Sequence, residues 1–213
     1  THVKWISDLD GLLYSEFCKW HENCEEVPHG PYDADGGLDD VLGAYSVGEI
    51  LMPDVTATTT AFLNLLDAIA AQNLEITVPE SGEYIIGSES SDLSVVCLAP
   101  NSPEYSDTNN YSIVLKISYK NRSVLLAGDA CEESELEQLS KGYDLSADVI
   151  KIGHHGSSGS SSEGYIDAVS PEAAVISCGK GNSYGHPSAA VLSLLEGCGI
   201  TVYRTDTDGT VAV

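Results

Sequence analysis

The segment at 147–158, ADVIKIGHHGSS, limits what this chain can fold into more than any other stretch. The run 147–152 is short, apolar and followed by glycine, which reads as a buried strand. It gives way at Gly153-His154-His155-Gly156 to a loop rich in glycine and serine. Six histidines occur in the chain, and two of them stand together at that boundary. Loops on a rigid scaffold are where binding and catalytic groups concentrate. Neutral imidazole is the commonest side-chain metal ligand. The pair therefore predicts a site beside the end of a sheet strand.

The surrounding pattern alternates strands with helices. Residues 112–119 read as a strand, Lys120-Asn121 as a turn, and 123–127 as the returning hairpin partner. Residues 132–139 read as a helix with acidic residues in its first turn, where the helix dipole favours them. A short helix is expected at 163–169, a strand at 173–177, and a helix at 187–196 with Pro187 at its start and Gly199 beyond its end. Strands at 200–204 and 210–213 flank the turn Asp206-Thr207-Asp208-Gly209. In the first half, 38–44 and 58–72 read as helices, the latter with an apolar stripe through Phe62, Leu65, Leu66 and Ile69. Residues 47–52 are a strand candidate. Strand-rich segments with interspersed helices predict an α/β sandwich with helices on the outer faces.

At 213 residues the chain is long enough for one domain with a sizeable core, and neither a repeat nor a low-complexity linker divides it. We read 1–213 as a single domain, either mature or cut from something longer. Its formal charge of −24 comes from 33 acidic and 9 basic residues. That balance disfavours a broad electrostatic grip on nucleic acid, which calls for a basic stripe. A metal ion can still recruit a phosphate locally. No apolar run approaches the roughly 20 residues that span a bilayer, and no signal peptide is visible. None of the six cysteines forms a CxxC pair, so a zinc knuckle or thioredoxin motif is not expected. Cys97, Cys178 and Cys198 lie in or beside apolar runs and read as small buried hydrophobes. Cys18 and Cys24 are spaced for a local disulfide if the domain is exported.

Four segments carry candidate chemistry. Asp129 follows Leu126-Ala127-Gly128 at a strand end, either as a metal-binding carboxylate or as a helix cap. His154 and His155 offer one imidazole to a metal and one to a substrate oxygen or a carboxylate. His186, in GKGNSYGHP (179–187), precedes a helix start, where backbone donors favour an anionic ligand. His29, Asp33 and Asp35 precede the Gly36-Gly37 turn into a helix. The chain contains no GxSxG elbow, P-loop or GxGxxG motif, so serine-hydrolase and nucleotide-binding readings have no support.

These motifs, in this order, resemble the metallo-β-lactamase fold, specifically the soluble C-terminal domain of ComEC-type competence proteins and their stand-alone relatives. The resemblance rests on NNYS (109–112), LLAGDA (125–130), DVIKIGHHGSSGSSS (148–162), GKGNSYGHPS (179–188) and YRTDTDGTVAV (203–213), with GGLDDVL and VGEILMPD within 36–54. It implies an αββα sandwich with a site at one edge between the two sheets. It also implies an HxHxDH motif before Gly36-Gly37. Counted back from that turn, His29 and Asp33 stand at two of its positions, while Pro31 and Ala34 replace two histidines. The implied metal ligands are His29, Asp33, Asp129 and His154, with His155 and His186 as catalytic residues. The implied cofactor is Zn²⁺ or Mn²⁺, one ion rather than two.

The resulting expectation is a metal-dependent phosphodiesterase or nuclease acting on a phosphate-containing substrate such as single-stranded DNA, extracytoplasmic or secreted. The competing expectation is a metal-poor domain that keeps the fold for binding or structure.

Overall fold

The computed structural model describes the backbone of residues 3–6 and residues 37–212. It divides into two compact units, Thr1–Pro79 and Glu80–Val213.

In the first unit, β1 (Val3–Ile6), β2 (Val47–Leu51) and β3 (Ile76–Thr77) form a parallel sheet in the order β1-β2-β3. Two helices accompany it. Helix α1 (Leu38–Ala44) starts at Gly37, whose φ of 90° is one that glycine adopts without penalty. Helix α2 (Thr60–Ala71) is capped by the Thr59 hydroxyl, which accepts from the Phe62 N–H. The expected stripe is largely the buried face of α2: Phe62, Leu65 and Ile69 are buried with Leu42, Ile50 and Met52, and Leu66 packs against them partly exposed.

The second unit is built on seven strands in the order β10-β9-β8-β7-β6-β5-β4. These are β4 (Tyr84–Ile86), β5 (Leu93–Ala99), β6 (Val114–Tyr119), β7 (Arg122–Leu126), β8 (Val149–Lys151), β9 (Ala173–Ile176) and β10 (Thr201–Arg204). Strands β4 to β7 pair antiparallel, and β7 to β10 pair parallel. Each parallel connection carries a helix, as a crossover requires: α3 (Glu132–Lys141), α4 (Glu163–Val169) and α5 (Ala189–Gly197). Leu125, Ile150 and Ala174 of the sheet form one buried cluster with Ile166 and Val169 of α4 and Val191 and Leu195 of α5. The Tyr165 hydroxyl, fully buried, donates to Gln138 Oε1 at 2.7 Å and ties α4 to α3.

This topology positions the site. Because β7, β8 and β9 run parallel, their carboxyl ends open on the same edge, the usual place for a ligand in such sheets. Asp129 follows β7, the histidine pair follows β8, and the loop bearing His186 follows β9.

Three expectations need correction. Helix α5 begins at Ala189, not Pro187, because Ser188 is its cap and its hydroxyl accepts from the Val191 N–H. Residues 210–212 form no strand, and the expected turn after β10 is a short helical turn, α6 (Thr205–Asp208). Cys97 is fully buried as expected, whereas Cys198 is exposed at the end of α5.

Candidate functional site

The loop after β8 is a single tight turn, Gly153–Gly156, pressed between the other two motifs. A Cβ on Gly153 would lie 2.8 Å from the Ala130 carbonyl oxygen, and one on Gly156 would lie 2.6 Å from Pro187 Cβ. Neither position admits a side chain without movement of its neighbours. The turn is fastened on both sides: His154 N–H donates to the Gly128 carbonyl at 3.1 Å, and Ser188 N–H donates to the Gly156 carbonyl at 2.8 Å. Both histidines adopt left-handed backbone, φ 45° at His154 and 54° at His155. Consecutive left-handed non-glycine residues cost on the order of 1–3 kcal/mol each and persist only where surroundings over-determine them. The far end is anchored by buried Glu135 of α3, whose carboxylate accepts the N–H groups of Ser161 and Ser162.

The side chains converge. The His154 ring centroid lies 6.2 Å from that of His155 and 5.5 Å from that of His186. His155 Nε2 is 3.5 Å from Asp129 Oδ1. His155 Nδ1 is 2.7 Å from the Ser177 carbonyl oxygen. A carbonyl only accepts, so Nδ1 carries the hydrogen and Nε2 presents a lone pair whenever the ring is neutral. Burial pushes the His155 pKa down to about 4, outweighing the attraction of Asp129. His186 is also lowered, by burial first and then by His154. Its loop is held from within: Asn182 Oδ1 accepts the His186 N–H at 3.0 Å, and Asn182 Nδ2 donates to the His186 carbonyl at 2.6 Å. The Tyr184 ring stacks on His186, with centroids 5.9 Å apart.

Asp129 does not cap α3. Its backbone N–H donates to Ser112 Oγ at 2.9 Å, and its carboxylate faces His155 and Lys151. The cap position belongs to Cys131, whose N–H donates to Asn110 Oδ1 at 3.0 Å. Burial and the surrounding acids, Asp107 foremost, push the Cys131 thiol up to about 12.

Two participants were not singled out from sequence. Lys151 is buried at the end of β8, donates to the Gly128 carbonyl at 2.8 Å and stands 3.9 Å from Asp129 Oδ1. Its signal was a lone charge inside an apolar strand run. Cys131 has its sulfur 3.5 Å from His154 Nδ1, and nothing in its local sequence marks it.

Asp129, His154, His155 and His186 are thus brought together. His29, Asp33, Pro31 and Ala34 lie outside the described residues, as do Cys18 and Cys24. The types of donor present, carboxylate and imidazole, fit a zinc or manganese ion. Among the described residues, no group of three or more His, Cys, Asp or Glu is arranged to hold an ion. Also among the described residues, no helix is long and apolar enough to cross a membrane.

No protein-family model matches the chain. It is 33% identical over 209 residues to ComE operon protein 3 of Bacillus subtilis, covering 98% of this chain and 25% of that one. It is 39% identical over 113 residues to Competence protein ComA of Neisseria gonorrhoeae, 53% of this chain and 16% of that one. It is 34% identical over 116 residues to Recombination protein 2 of Haemophilus influenzae, 54% of this chain and 14% of that one. Among solved structures it is similar to CmlA, a diiron β-hydroxylase from Streptomyces venezuelae, at 17% identity and a TM-score of 0.48 over 74% of this chain and 38% of that one. A mutant of the same enzyme gives 16% identity and a TM-score of 0.47 over the same shares. The fold is mixed α/β, with its site motifs gathered at the carboxyl ends of parallel strands. Within that class, the chain belongs to the ComEC-type family of competence proteins. It spans a quarter or less of the length of the relatives named.

Proposed function

We propose that this domain is a metal-dependent phosphodiesterase that cleaves nucleic acid during DNA uptake, on the extracytoplasmic side of the membrane. One observation carries the reading: three imidazoles gather beside Asp129, and a ring nitrogen with a lone pair faces its carboxylate oxygen at 3.5 Å. Two acceptors that close suit a shared cation.

Asp129 and His154 are the described residues that would hold a Zn²⁺ or Mn²⁺ ion. His29 and Asp33 are the further ligands that the resemblance implies. A bound ion supplies charge neutralisation for a phosphate and lowers the pKa of a water. The protein's own groups do the rest. His155, with its Nδ1–H committed to Ser177, offers the cluster an acceptor and takes a proton. His186 orients the phosphate from the more exposed loop. Lys151 sets a positive charge 3.9 Å from Asp129 Oδ1, behind the cluster. The acidic surface repels a polyanion, so contact with DNA would be confined to the ion and its surroundings.

A second reading, a metal-poor binding or structural domain, is favoured by Pro31 and Ala34 at positions where the resemblance calls for histidine. The two separate in one experiment. Purified protein is loaded with Mn²⁺ or Zn²⁺, its metal content is measured, and degradation of single-stranded DNA is followed. The hydrolase reading predicts about one bound ion and cleavage that Asp129→Ala abolishes. Metal below about a tenth of an equivalent, or cleavage unchanged in Asp129→Ala, contradicts it.

A further inference from the structure

His155 has its tautomer set by a backbone carbonyl, and the structure offers an equivalent partner to His154. Cys131 Sγ lies 3.5 Å from His154 Nδ1 and 3.5 Å from the Asp129 carbonyl oxygen. A thiol carries one hydrogen, and a carbonyl oxygen carries none. Both contacts can be hydrogen bonds in one arrangement only: the S–H donates to the Asp129 carbonyl, and the sulfur accepts from His154 Nδ1–H. Cys131 is held in place for this. Its backbone N–H is fixed by the buried Asn110 side chain, whose Nδ2 in turn donates to Glu133 Oε2 at 3.0 Å. Its thiol makes no bond to the helix it caps.

We propose that Cys131 is the positioning residue for His154, accepting its Nδ1–H so that Nε2 presents a lone pair to the cluster. Cys131 is then not a ligand itself. It acts on the metal-binding reading through His154, in the way that partners of ligating histidines fix ring orientation and tautomer. The two histidines of the pair consequently share one tautomer, set by a sulfur on one side and by the Ser177 carbonyl on the other.

The test begins without metal. Nitrogen-15 spectra of the imidazoles are recorded on the full chain at a pH above the ordinary histidine range. The expected result is His154 protonated at Nδ1 in the parent protein. In Cys131→Ala, the proton moves wholly or partly to Nε2. In Cys131→Ser, whose hydroxyl can accept and donate in the same directions, Nδ1 protonation is retained. An Nε2-protonated His154 in the parent protein, or an unchanged His154 in Cys131→Ala, overturns the proposal.

Titration with Mn²⁺ or Zn²⁺ forms the second arm. Cys131→Ala is expected to weaken affinity by about 10–100-fold, and Cys131→Ser to restore it to within a few-fold. Equal losses in both variants would make the sulfur a ligand and overturn the positioning role. The nitrogen spectra do not depend on metal, so failure of the metal-binding reading would leave the tautomer result standing and distinguishable.

Discussion

Two loops bring histidines to one cluster, and they are built differently. The Gly153–Gly156 turn is short, strained and fastened by backbone bonds to the Asp129 segment and to Ser188. The 179–187 loop is longer and more exposed, and it fixes His186 through its own Asn182 and the stacked Tyr184. Two glycines show the contrast directly. Gly156 and Gly185 both have left-handed backbone, with φ of 80° and 73°. A Cβ on Gly156 collides with Pro187, whereas a Cβ on Gly185 meets nothing within 4 Å. The first loop is over-determined and the second is not. A rigid wall suits fixed ligand donors, and a looser one suits a substrate that must enter and leave.

The largest effect that would break this contrast comes from Gly156→Ala. Backbone strain of about 1–2 kcal/mol and overpacking of about 1–3 kcal/mol together predict a loss of about 2–5 kcal/mol. Urea unfolding with an unchanged m-value would measure it. A cost below about 1 kcal/mol would show that the wall is not rigid.

Acid should act next, and through the rigid loop. His155 has a folded pKa near 4, below its unfolded value. Its neutral form therefore contributes stability that is complete above about pH 6.5 and is lost as pH falls toward 4. Metal-free protein should weaken over that window, and His155→Gln should flatten the same stretch of the stability curve. Identical curves would remove His155 from the account.

Gly185→Ala comes third. With open space at the Cβ it should cost only the conformational term, about 1–2 kcal/mol. A loss matching that of Gly156→Ala would erase the difference between the loops. Asn182→Ala should be smallest, near 0.5–1.5 kcal/mol. It should also speed amide exchange in 182–186 while leaving 153–156 protected, and faster exchange in both would contradict independent loops.

What could be read from sequence follows the same division. Asp129, His154, His155 and His186 were legible because each lies in a glycine-containing turn at a strand or helix boundary. Strand β8 and helix α4 were legible from short apolar runs with clear stops. Lys151 carries a signal, a lone charge inside an apolar run, but a short buried parallel strand does not show which of its residues faces the cluster. Cys131 and the Ser177 carbonyl were hidden because their partners are 23 and 22 residues away, and nothing local encodes those meetings. At the start of α5 a proline and a serine both signal a helix start, and the Ser188 side-chain bond decides between them. His29 and Asp33 lie outside the described residues.

The three loops at the carboxyl ends of β7, β8 and β9 bring Asp129, His154, His155 and His186 together, and the proposal is that this cluster holds one cation. Titrating Mn²⁺ into the full chain while following the ring resonances of His154, His155 and His186 tests it most directly. One shared site predicts saturable paramagnetic broadening of all three rings at about one equivalent, abolished in Asp129→Asn. Broadening that is absent, that never saturates, or that survives in Asp129→Asn would contradict it.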